Sequence, residues 1–151
     1  MNMRTVRPPV SATRACYATT LRKASRRLTA LYDDVLAPTG LRSTQYAILS
    51  ELADGEPVTI NELARALVLD RSGLGHSLRP LQRDGLVRLD KDLADRRSVN
   101  VTLTEEGRRR YEQAFVLWRS AQDRVAEVLG TSVADELRDQ LNGVAEDDRL
   151  T

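Results

Sequence analysis

Two helix-capping signals in close succession constrain this chain more than any other feature. In Thr59-Ile60-Asn61-Glu62 the Thr59 hydroxyl and the Glu62 carboxylate can each satisfy an orphaned amide, a capping box. It predicts a short helix over residues 60–67. The turn Val68-Leu69 then leads to Asp70, a second N-cap. The next helix is expected to reach residue 84, where Gly85 stops it. Leu74, Leu78 and Leu81 form its inner stripe, and Ser72, His76, Arg79 and Arg83 face the opposite way. Pro80 removes one backbone bond and predicts a slight kink. Residues 86–90 and 98–103 alternate apolar and polar around the charged run 91–97. They read as a β-hairpin.

The flanks are helical. From residue 12 onward, Tyr17, Leu21, Ala24, Leu28, Leu31 and Val35 recur at steps of four and three. Such a narrow seam packs against another helix. Pro38-Thr39-Gly40 ends it. Ser43 is the expected cap of a helix over 44–53, with Tyr46, Leu49 and Leu52 inward. Gly55 and Pro57 close that helix, and Val58 is a short extended connector. Thr104 is expected to cap a long helix to residue 129, with a seam of Tyr111, Ala114, Trp118, Ala121, Val125 and Val128. Gly130 stops it, and a last helix carries Val133, Leu137, Leu141 and Val144. Residues 1–11, with Pro8-Pro9, read as a flexible arm.

These elements predict a mainly α fold with a small β-hairpin wing. A winged helix-turn-helix spans 39–104, and N- and C-terminal dimerisation helices span 12–38 and 105–148. The seams are expected to pack between two subunits of a homodimer. The alternative is that they pack on each other within one chain.

Bulk properties exclude more than they identify. Among the 151 residues the apolar share of 41% argues against disorder, and the net charge of +1 announces no polyanionic partner. Between residues 70 and 97, seven Lys or Arg face five Asp, so charge alone leaves nucleic-acid binding open. One cysteine and one histidine argue against a disulfide framework and against a soft-ligand metal site. No cofactor is expected. No segment reaches the ~18 apolar residues of a membrane span, and no secretory signal is legible, so the expected location is the cytoplasm. No nucleophile–base set, carboxylate pair or phosphate loop points to an enzyme.

The order of elements carries the functional reading. In a helix-turn-helix the second helix enters the major groove, where its outer face needs donors and acceptors for base edges. Ser72, His76 and Arg79 are of that kind, and Arg83 suits a phosphate. The Arg96-Arg97 pair at a hairpin tip suits the narrow, electronegative minor groove. Arg71 and Gly75 lie on the same surface. Gly73 and Gly75 either allow close approach to phosphate or are simply tolerated near a helix start.

At this level the chain resembles the MarR family of winged-helix regulators. The resemblance lies in DRSGLGHSLRPLQRDGLV from Asp70, DRRSVNVTLTEEG from Asp95 and CYATTLRKASRRLTALYDDVLAPTGLRSTQYAIL from Cys16. It implies a triangular homodimer on double-stranded DNA at a palindromic operator. It also implies that Asp95 orients Arg97 for the minor groove, with Arg96 on phosphate. It further implies repression relieved by a small, often phenolic, effector. Tyr46, Trp118 and Cys16 are candidates for lining that effector's pocket. A peroxide-sensing branch of the family carries a reactive cysteine in the region Cys16 occupies, so a thiol switch is one alternative. An architectural, non-specific DNA binder is another.

Overall fold

The structure, a computed structural model, describes residues 15–95 and 97–150. The arm expected over 1–11, the start of the helix read from residue 12, and Arg96 lie outside the described residues.

Helix α1 (Tyr17–Leu36) has Cys16 as its N-cap, in extended backbone (φ −85°, ψ 114°), and Ala15 before it is helical, so the helix read from residue 12 is interrupted at Cys16. One turn of 3-10 helix, Ala37–Thr39, follows, and Gly40 closes it in the left-handed region at φ 73°. The Thr39 hydroxyl donates to the Leu36 carbonyl at 2.7 Å and so holds this end together.

Helix α2 (Ser43–Glu51) corrects one expectation. Ser43 is not its cap. The Ser43 amide donates instead to Asp33 Oδ1 of α1 at 2.7 Å. A carboxylate from a neighbouring helix has replaced the local hydroxyl, because α1 packs beside the start of α2.

The capping box at Thr59 forms as read. The Glu62 amide donates to Thr59 Oγ1 at 3.2 Å, and the Thr59 amide donates to Glu62 Oε2 at 2.9 Å. Helix α3 (Ile60–Ala66) follows, then α4 (Arg71–Arg83). Strand β1 (Val58–Thr59) precedes α3, and strands β2 (Val87–Lys91) and β3 (Val99–Leu103) follow α4. The sheet is three-stranded and antiparallel, in the order β1-β3-β2, with Val58 opposite Val101 and Val87 opposite Leu103. The connector at Val58 is thus a paired strand. Its pairing is long-range, and nothing local announces it.

Leu49, Leu63, Leu74, Leu81, Leu86 and Val101 are fully buried in one core between the helices and the sheet. Burial of each such side chain contributes about 2 kcal/mol. The long helix α5 (Glu105–Leu129) reaches this core through Ala114, and α6 (Thr131–Glu146) follows it. Helix α1 packs along α5, and α5 along α6. Helices α1 and α5 therefore do meet within one chain. Even so, Tyr17, Leu21, Val128, Val133, Leu137 and Val144 remain exposed. No described helix is long and apolar enough to cross a membrane.

Candidate nucleic-acid interface

The turn between α3 and α4 is built from backbone bonds. The Leu69 amide donates to the Ala64 carbonyl at 2.8 Å, and the Val68 amide to the Arg65 carbonyl at 3.1 Å. This closing motif needs a left-handed residue, usually glycine. Here it is Val68, at φ 50°, so a β-branched side chain sits in a strained conformation at the hinge of the motif.

Asp70 then caps α4, accepting the Gly73 amide at 2.5 Å. A Cβ on Gly73 would stand 3.0 Å from Asp70 Oδ1. Gly73 therefore serves the cap. A Cβ on Gly75 would meet open space, so packing within the chain does not require glycine there. Leu74, Leu78 and Leu81 point into the core, whereas Arg71, Ser72, His76, Arg79 and Arg83 are exposed. The helix is continuous through Pro80. Arg83 Nε is paired with Asp84 at 3.0 Å. Among the described residues no carboxylate lies within ion-pair distance of Arg71 or Arg79.

The wing loop is organised by a residue that sequence reading missed. Asp92 Oδ1 accepts the amides of Ala94 (2.7 Å) and Asp95 (3.0 Å), and Oδ2 accepts from Asn100 Nδ2 at 3.0 Å. The Asp95 amide, then Asn100 and the Ala94 amide, hold its carboxyl below the usual range. The D-x-x-D spacing of Asp92 and Asp95 was the available signal. Asp95 Oδ1 accepts the backbone amide of Arg97 at 3.0 Å. The contact implied by the resemblance therefore runs to the main chain, and it sets the bend from which the exposed Arg97 projects.

Two further arginines went unread. Arg110 Nη1 donates to the Thr39 carbonyl at 2.8 Å, and Arg108 Nη1 to the Ala53 carbonyl at 3.0 Å. They tie the first turns of α5 to the ends of the 3-10 turn and of α2. Gly107 lets α5 approach the chain leaving α4, since a Cβ there would lie 1.9 Å from the Leu86 carbonyl oxygen.

Tyr46 and Trp118 do come together, with ring centroids 5.7 Å apart. They line a cleft of about 340 Å³. One face of α2 (Ser43, Tyr46, Ala47, Ser50, Glu51) forms a wall, with Tyr32 and Leu36 of α1 opposite. Burial, and then neighbouring Tyr111, push the Tyr46 phenol well above its ordinary value. Cys16 does not line this cleft. It is exposed at the start of α1, and a hydrogen bond with the Thr19 hydroxyl lowers its thiol pKa.

A capped helix-turn-helix followed by a β-hairpin wing, with β1 completing the sheet and long helices framing both, defines a winged helix-turn-helix protein. The sequence profile of the MarR family matches residues 39–98. The transcriptional regulator MosR of M. tuberculosis, solved in complex with DNA, is 32% identical. That match covers 87% of this chain and 94% of MosR, with a TM-score of 0.79. The repressor CouR bound to a 23-mer DNA duplex is 26% identical, covering 93% and 99% with a TM-score of 0.81. CouR from Rhodococcus jostii RHA1 has also been solved with p-coumaroyl-CoA. The transcriptional repressor NicR of Pseudomonas putida is 37% identical over 87 residues, 58% of this chain and 55% of NicR. The chain spans about half the length of the curated relatives it matches. It belongs to the MarR family, whose members are transcriptional regulators and not enzymes.

Proposed function

We propose that this chain is a DNA-binding transcriptional repressor acting as a homodimer on a palindromic operator. Residues 39–104 form the DNA-binding unit, and residues 12–38 and 105–148 form the dimer base. One observation carries the reading. The outer face of α4 presents Ser72, His76 and Arg79 to solvent beside Arg71, with Arg97 projecting from the adjacent wing. In this reading Ser72, His76 and Arg79 meet base edges, and Arg71, Gly75, Arg83 and Arg96 lie along phosphates. Asp95 shapes the wing for Arg97. The DNA complexes of MosR and CouR support it. The cleft at Tyr46 and Trp118 receives a small effector that releases DNA, as the CouR complex with p-coumaroyl-CoA suggests by analogy.

The test is binding to a palindrome from DNA beside the chain's own gene, against a scrambled duplex. Preference of about 10³-fold or more is expected. Equal binding to both would mark an architectural protein instead. Arg97→Ala is expected to weaken binding by about 1–3 kcal/mol.

The exposed, pKa-lowered thiol of Cys16 favours one second reading, a peroxide-responsive repressor. Peroxide would then release the wild-type protein from DNA and spare Cys16→Ser. Equal release of both removes that reading.

A further inference from the structure

Resting on the effector reading above, we propose that the cleft between α1, α2 and α5 takes an aromatic amine. Its ring lies against Trp118 and Tyr46, and its ammonium beside Glu51. The volume of about 340 Å³ suits one small ring system.

Charge decides the class. Among the eight described residues lining the cleft, Glu51 alone is charged. A ligand carboxylate would find no cation on the wall and would be repelled by Glu51. The hydroxyls of Tyr32, Ser43 and Ser50 can donate or accept, so they do not select a sign. The basic groups that the structure places around the cleft stand outside this lining. Arg138 of α6 acts on Tyr32 but is paired with Asp135 at 2.5 Å, and Arg108 is bound to the Ala53 carbonyl.

The orientation of α2 reinforces this choice. The wall runs from Ser43, its first residue, to Glu51, its last. A helix N-terminus attracts anions. Here that end is already held by Asp33, which accepts the Ser43 amide and binds Arg42 Nη1 at 3.2 Å. The opposite end adds the partial negative charge of its carbonyls to the Glu51 carboxylate, offset in part by Arg108 on the Ala53 carbonyl. The stacked faces of Tyr46 and Trp118 lie between, and aromatic faces attract cations. A neutral phenol would use the hydroxyls but gain nothing from the exposed Glu51 charge.

Trp118 is the only tryptophan of the chain, so its emission reports on the cleft with or without DNA. The intact protein is titrated with 2-phenylethylamine, 2-phenylethanol and phenylacetate, which share a ring and differ in charge. The amine is expected to change Trp118 emission saturably at about ten-fold lower concentration than the others, and Glu51→Gln to cut that preference to about two-fold. Equal or tighter binding of phenylacetate overturns the proposal. So does an absent response to the amine, or an undiminished preference in Glu51→Gln. DNA binding measured on the same sample keeps the two readings apart. An amine-selective response without DNA binding removes only the regulator. DNA binding with a carboxylate preference removes only the ligand class.

Discussion

Gly107 and Val68 show how much single positions decide here. At Gly107 the helix α5 presses against the chain leaving α4, and the Thr104 hydroxyl donates to the Gly85 carbonyl at 2.6 Å beside it. Gly107→Ala drives a methyl into the Leu86 carbonyl and is expected to cost roughly 3 kcal/mol. The measurement is the urea midpoint at unchanged slope. Val68 has the opposite sign. A residue without Cβ removes its left-handed strain, so Val68→Gly is expected to raise stability by about 1 kcal/mol. A lower melting temperature for that variant would refute the strain. Asp33 couples to pH. Burial opposes its ionisation, but the Ser43 amide and then Arg42 outweigh it and depress its pKa. A depressed carboxyl stabilises above its unfolded pKa, and that contribution fades as pH falls through the folded value. Asp33→Asn should therefore be less stable than wild type at pH 7, with the gap closing below about pH 4. A gap independent of pH would contradict this account.

Helix α4 and the wing are the elements on which the proposed function turns, and both were largely legible. Their signals are local: the cap at Asp70, the leucine stripe and the alternating strands. Asp70→Ala removes one capping bond and is expected to cost about 1 kcal/mol in denaturant unfolding. In the wing, Asp92→Ala deprives three donors of their acceptor. The amides of Ala94 and Asp95 are then expected to exchange hydrogen faster, while those paired between β2 and β3 stay protected. Uniform acceleration across the sheet would show that Asp92 supports more than the loop. Strand β1, the Asp33 cap and the arginine clamps were not legible. Each joins residues that are distant in sequence, so no spacing rule announces the partner.

At the scale of the molecule, one chain leaves apolar surface without cover. Helix α6 has no buried residue, and Tyr17 of α1 is 94% exposed. A stable helical face of this kind needs a partner, and a second copy is the partner proposed above. Leu137→Arg places a charge on that face. It is expected to give a monomer by light scattering and to weaken operator binding with it, since one subunit presents one recognition helix. A Leu137→Arg dimer would exclude α6 from the interface.

Helix periods, caps and turn residues belong to neighbours along the chain, and from these alone came the winged helix-turn-helix, its outward residues and the wing. Folding in space decided which distant groups meet. It brought Tyr46 to Trp118 and left Cys16 out of the lining of their cleft. It also gave the start of α2 to Asp33 instead of Ser43. Those outcomes depend on helix packing, whose energies come from contacts that no local pattern encodes.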